Sequence, residues 1–222
     1  SEDLHPRDGE VVRMKMFGHG EVYDGVRESG AITAWVRDYL RRVVSNPGYS
    51  IDDVEVLIPP KNFQRVVEDR HRRDQDANTV YSDGGQILTA SASTLGWMNE
   101  RLRSSQGAKF RKIDIGAFRP NLALADLPPN AEDLIGAISI GTGEEIQMLF
   151  GGMCVRCPVI QIDQQSGEKP DREPLLWLSK NRPPRLDKPK ATTFGVNTVF
   201  PENTWGTTIR KGDIVQILRE KE

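Results

Sequence analysis

Cys154 and Cys157 are the only two cysteines in 222 residues, and they are separated by Val155-Arg156. A thiolate at such a pair can ligate a soft transition metal or trade electrons with its neighbour. Arg156 sets a positive charge between the two sulfurs, which favours the thiolate. Gly151-Gly152 precedes the pair and would let backbone approach a ligand closely. Three uses of the pair stay open on these residues. A structural zinc site usually needs four ligands, and His5, His19 and His71 share no ligand spacing with the cysteines. A redox pair usually opens a helix, whereas Pro158 and the run Val159-Ile160-Gln161-Ile162 predict a strand. Two buried thiols that only fill space are the third reading.

Composition narrows the function classes. Lysine and arginine number 30 and aspartate and glutamate 32, a formal net charge of −2. That balance argues against a general nucleic-acid binder, which needs excess positive charge. No apolar run approaches the roughly 20 residues of a membrane span, and the polar first residues carry no signal-peptide pattern. Two cysteines in a chain of this size suit a reducing compartment. The cytoplasm is the expected location, with the mitochondrion as the alternative. Ser1 in place of an initiating methionine suits a fragment or a processed product.

The elements that must position the pair are mostly short strands. Alternation in Val12-Arg13-Met14-Lys15-Met16 predicts a half-buried strand, Gly18-His19-Gly20 a turn, and Glu21-Val22-Tyr23 a return strand. Ile32, Trp35, Val36, Tyr39, Leu40 and Val43 recur at helical spacing after Ser29-Gly30. Val54–Ile58 predicts a further strand. Residues 61–79 are dense in charge, as a solvated face would be. Ser91 or Ser93 can cap a helix that carries Leu95, Met98 and Leu102. Ile135–Ile140 and Ile146–Phe150 predict strands, Pro174–Leu178 a short helix, and Val196–Phe200 and Ile214–Leu218 the last strands. Arg182-Pro183-Pro184-Arg185-Leu186-Asp187-Lys188-Pro189 predicts an exposed proline-rich loop. No β-helix-β alternation runs through the chain, so the expected class is α+β, rich in strands, with a mixed barrel or sandwich core.

Several blocks then occur in a telling order: Phe118-Arg119-Pro120-Asn121, Cys154-x-Arg156-Cys157, Asp163-x-x-Ser166-Gly167, Phe194-Gly195, and Gly206-Thr207-x-Ile209-x-x-Gly212-Asp213. Together they resemble the MOSC domain, the domain shared with the C-terminus of molybdenum-cofactor sulfurase. The resemblance covers about residues 80–218. It implies a MOSC-type mixed β-barrel with peripheral helices over 80–222, a partial β-barrel subdomain over 10–79, and a polar lead-in over 1–9. It also implies a molybdenum–molybdopterin cofactor, with Cys157 as the metal ligand and Cys154 as a supporting thiol beside it. Arg119 and Asn121 would contact the cofactor, Arg156 would add positive charge, and Gly84 and Gly85 would offer backbone amides. A guanidinium suits the anionic oxygens of such a cofactor. Asp163 and Gly167 read as a tight turn, and no residue is assigned a catalytic role. Glu132-Asp133 matches the position of a family acidic pair. The family implies cofactor sulfuration and transfer to enzymes of the xanthine dehydrogenase or aldehyde oxidase type. It implies, as an alternative, reduction of N-hydroxylated compounds, and, as a second alternative, a degenerate domain kept for protein contacts. Its partners would be an upstream cysteine desulfurase domain, which would bring the pyridoxal phosphate absent from this segment, or an electron-transfer protein.

Overall fold

A computed structural model describes residues 11–15, 22–28, 30–45, 48–60, 65–67, 78–79, 84–141, 146–182, 191–201, 204 and 206–221. The turn expected at Gly18-His19-Gly20, most of the charged stretch 61–79 and the residues after Arg182 in the proline-rich loop lie outside them. The chain divides into two compact units, Ser1–Arg65 and Val66–Glu222.

In the first unit, β1 (Val11–Lys15) pairs antiparallel with β2 (Val22–Arg27), and β2 pairs with β3 (Leu57–Ile58). The strand expected over Val54–Ile58 forms only at its end. Val54 and Val56 are tied to helix α1 (Gly30–Val43) instead: Arg37 Nε donates to the Val54 carbonyl at 2.7 Å, and the Val56 N–H donates to Thr33 Oγ1 at 3.3 Å. The apolar residues at helical spacing do form α1, yet none of its residues is buried. Trp35 and Tyr39, one turn apart, stack at 5.9 Å.

A six-stranded sheet organises the second unit. Its strands are β4 (Ile87–Ser91), β5 (Leu122–Leu124), β6 (Ile135–Ile140), β7 (Ile146–Val155), β8 (Thr193–Val199) and β9 (Val215–Glu220). They lie in the order β9-β6-β7-β8-β4-β5. All neighbours are antiparallel except β4 and β5. The sheet curls as a half-barrel, and with the helices it makes a strand-rich α+β fold, as the sequence predicts. Ile138, Ile140, Met148, Phe150 and Val196 pack into one apolar core. A second core gathers Met98 and Leu102 of α2 (Ala92–Gln106), Leu178 of α3 (Leu175–Asn181), and Phe118 and Phe194. Ser91 caps α2, its hydroxyl accepting from the Thr94 N–H at 3.1 Å, and Leu95, Met98 and Leu102 are all buried. No helix among the described residues is long and apolar enough to cross a membrane.

Two expectations are corrected. Val159–Ile162 is not a strand: Pro158–Gln161 form a 3-10 turn. Pro158 fixes the helical φ at its first position, and the Ile162 N–H donates to the Val159 carbonyl at 3.1 Å. Arg182 does not belong to an exposed loop. It is buried, donating to Asp133 Oδ1 at 2.8 Å and to Asn130 Oδ1, with Glu132 Oε1 at 3.8 Å. Two carboxylates on the 3-10 turn Ala131–Asp133 draw the guanidinium inward.

Candidate functional site

Cys154 lies near the end of β7, and Cys157 lies two residues beyond it as the N-cap of the turn Pro158–Gln161. Cys154 is partly buried and Cys157 exposed, and no disulfide joins them. Pairing between β7 and β8 is interrupted twice around this pair. Thr193 opposes Val155 and Val196 opposes Met153, so Phe194 and Gly195 together face Cys154. Val196 opposes Met153 and Thr198 opposes Phe150, so Gly151 and Gly152 together face Asn197. These are β-bulges, which bend a strand and re-aim its side chains. Gly195 sits at φ +75°, and a Cβ there would lie 2.8 Å from the Thr89 carbonyl oxygen. Only glycine fits that position without strain. Gly151-Gly152 is therefore first a bulge that carries the strand toward its cysteines.

Arg119 leaves the 3-10 turn Ile115–Phe118 in the left-handed region, at φ 52° and ψ 46°. Its position is built from the core outward. Asn99 on α2 brackets Ile113, donating to its carbonyl and accepting from its N–H, both at 2.9 Å. Asp114 then caps the turn, accepting from the Gly116 N–H at 2.8 Å. The Arg119 side chain is exposed, and among the described residues no carboxylate pairs with it. Asn121 joins β5 to β4: its N–H donates to the Leu88 carbonyl at 2.9 Å, and its Oδ1 accepts from the Leu88 N–H at 2.8 Å.

Arg156 is half-buried. Its Nε and Nη2 donate to the Phe194 carbonyl at 2.8 and 2.7 Å, and its Nη1 donates to the Phe118 carbonyl at 3.1 Å. No described carboxylate meets it. Burial lowers its pKa, the nearby Cys154 and Cys157 sulfurs raise it, and Arg119 lowers it further. Two guanidinium groups and two sulfurs thus share one electrostatic neighbourhood.

Gly84 and Gly85 pack against Asn197. A Cβ on Gly84 would lie 3.0 Å from the Asn197 amide, and one on Gly85 would lie 2.9 Å from the Asn197 Cβ. Asn197 Nδ2 in turn donates to the Gly152 carbonyl at 3.3 Å and Asn197 opposes Leu88, the partner of Asn121. Asn197 is the residue that sequence reading missed. A lone amide inside the apolar strand Thr193–Val199 was the available signal. Two clusters result. Cys154, Cys157 and Arg119 all act electrostatically on Arg156 at one end, and Gly84 and Gly85 pack on Asn197 one bulge further along, with Asn121 on the far side of Leu88.

Asp163 closes a tight turn, as expected: its Oδ1 accepts from the N–H groups of Gln165 and Ser166 at 3.0 and 2.9 Å, and Gly167 sits at φ +74°. Those bonds hold its carboxyl below the usual range. Among the described residues no three His, Cys, Asp or Glu side chains converge. The donor set at Cys157 is one exposed thiol beside two arginines, which fits a soft metal carried by an anionic organic ligand.

Comparison with known proteins identifies the family. A model of the MOSC domain matches residues 76–216. The chain belongs to the MOSC domain family. Mitochondrial amidoxime-reducing component 1 of Homo sapiens is 28% identical over 206 residues, 90% of this chain and 55% of the relative. Molybdenum cofactor sulfurase of Solanum lycopersicum is 31% identical over 152 residues, 64% of this chain and 17% of the relative. The Arabidopsis thaliana sulfurase is 30% identical over 186 residues, 82% of this chain and 21% of the relative. This MOSC protein therefore spans about half the length of the first relative and about a fifth of the sulfurases.

Proposed function

We propose that this MOSC domain binds the molybdenum cofactor at the Cys154–Cys157 edge and serves in cofactor sulfuration and transfer. The observation that carries the reading is the exposed Cys157 thiol beside an Arg119 without a described carboxylate partner and an Arg156 whose described side-chain hydrogen bonds all go to carbonyls. Cys157 would ligate molybdenum and Cys154 would support it from the strand. Arg119 would bind anionic oxygens, and Asn121 and the Gly84-Gly85 backbone would face the pterin. When bound, the cofactor supplies a metal that can carry a terminal sulfur or oxygen. The protein residues hold and orient it, and the exposed position of Cys157 suits a cofactor that must be handed on. In this reading the sulfur comes from a cysteine desulfurase domain of the full-length protein, and the acceptors are enzymes of the xanthine dehydrogenase or aldehyde oxidase type.

A second reading is molybdenum-dependent reduction of N-hydroxylated compounds with an electron-transfer partner. It is favoured by the extent of the match to the amidoxime-reducing component, which covers 90% of this chain.

Metal and pterin analysis of protein purified from a cofactor-competent host tests the shared part. Wild type is expected to carry both, Cys157→Ser neither, and Cys154→Ser most of the wild-type amount. Equal metal in wild type and Cys157→Ser would falsify the ligand assignment. No metal in wild type would leave a domain kept for protein contacts. Benzamidoxime turnover by loaded protein with a reconstituted electron chain separates the two chemistries: turnover supports the reductase, and none supports transfer.

A further inference from the structure

The family blocks put Arg156 among the cofactor contacts, but its donors point elsewhere. Nε and Nη2 are both directed at the Phe194 carbonyl, and Nη1 is directed at the Phe118 carbonyl. The Phe118 carbonyl belongs to the peptide unit that leads into Arg119, where the chain turns left-handed. The Phe194 carbonyl belongs to the bulge that faces Cys154. One planar fork thus spans from the Arg119 turn to the β8 bulge, and its own backbone directly precedes Cys157. The Arg156 N–H also donates to the Thr192 carbonyl at 2.8 Å, closing the end of the β7–β8 ladder.

Aromatic packing holds the fork in place. Arg156 lies over the Phe118 ring at 5.7 Å, Phe118 and Phe194 stack at 3.8 Å, and Arg182 lies over Phe194 at 5.9 Å. Arg182 is itself anchored by Asp133. A half-buried cation without a carboxylate is costly unless hydrogen bonds compensate it, and here two carbonyl oxygens accept from all three of its nitrogens.

We propose that Arg156 is a positioning residue: its guanidinium bolts the Phe118–Arg119 turn to the Phe194–Gly195 bulge, and so sets Arg119 against Cys157 without itself reaching the ligand. The inference rests on the cofactor reading of this edge and assigns one of its residues a different task. It makes shape, not charge, the property that matters. A lysine keeps the charge but concentrates its donors on one nitrogen and lacks the planar fork.

The test compares molybdenum and pterin content in Arg156→Lys, Arg156→Gln, Arg119→Gln and the double variant Arg119→Gln/Arg156→Lys. Arg156→Lys is expected to lose cofactor about as severely as Arg156→Gln, on the order of tenfold, as residues that orient ligands do. The double variant is expected to lose no more than Arg119→Gln alone, because Arg156 acts through Arg119. Wild-type content in Arg156→Lys, or losses that multiply in the double variant, would overturn the proposal. Should the Arg156 variants fail to fold, the wild type still decides the matter through the NMR signal of the Arg156 Nε–H. The expected signal exchanges slowly in cofactor-free protein and stays in place when the cofactor is present. Fast exchange without cofactor, or a large shift on loading, would overturn it. If wild type holds neither metal nor pterin, the cofactor reading has failed, and the exchange rate alone upholds or overturns the bolt.

Discussion

Arg119 carries two separable features, a backbone conformation and a side chain. A non-glycine residue in the left-handed region costs about 1–2 kcal/mol, and Arg119 is held there by the Asp114 cap and by its own N–H, which donates to the Gly116 carbonyl at 3.0 Å. Arg119→Gly removes the steric cost and the guanidinium together. We expect it to leave stability unchanged or raise it by up to about 1 kcal/mol while cofactor content falls. Urea unfolding beside metal analysis checks this, and a stability loss matching the cofactor loss would show that the side chain is structural. Asn121 behaves differently, because its Oδ1 replaces a backbone acceptor for Leu88. Asn121→Ala is expected to cost about 0.5–1.5 kcal/mol by removing that hydrogen bond, measured by the same unfolding curves. These two residues stand two apart in one sequence block, yet only the structure separates an exposed guanidinium from a ladder-extending amide.

At the level of elements, the two bulges between β7 and β8 decide what the cysteines face. Strand alternation alone would send Cys154 and Arg156 to one side of the sheet. The bulge of Phe194-Gly195 adds a residue opposite Cys154, and the turn at Pro158 then redirects the chain at Cys157. Gly195→Ala tests the bulge: its φ is positive and its Cβ would meet the Thr89 carbonyl. A loss of at least about 1–2 kcal/mol is expected, and a neutral result would mean that the bulge relaxes freely. The glycines at 151 and 152 were legible as points of close approach, and Gly195 only as part of a sequence block. Their pairing against Asn197 and Cys154 was not, because register is set by the partner strand, some 40 residues away in sequence.

For the whole second unit, the buried cluster of Arg182, Glu132 and Asp133 joins the turn after β5 to the end of α3. Thr94 Oγ1 also donates to Glu132 Oε2 at 2.7 Å, so α2 is tied in. Arg182→Met would leave two buried carboxylates without their cation. We expect a loss of about 3–5 kcal/mol near neutral pH, read by chemical denaturation. Burial raises the pKa of both carboxyls, against the pull of Arg182 on each. A folded pKa above the unfolded one gives a contribution that is full below the ordinary carboxylate range and is lost as pH rises through the folded value. Glu132→Gln lacks that titration at its position. Relative to wild type, its stability is expected to improve as pH rises from about 4 towards 8; a constant offset across the range would sink the claim. Asp163 works in the other sense. Its lowered pKa adds stability above the ordinary carboxylate range, lost as pH falls through the folded value.

The sequence by itself determined the α+β class, the strands Ile135–Ile140 and Ile146–Phe150, the helix capped at Ser91 or Ser93, and the residues that could hold a soft metal. Those features are local: side-chain period, cap chemistry and the rarity of thiols. Only the tertiary structure decided that Arg156 is spent on two carbonyls, that Arg182 is buried, and that Asn197 fills the space the glycines leave. Each of these depends on a partner distant in sequence, and a donor or a space has no fixed role until its partner is in place.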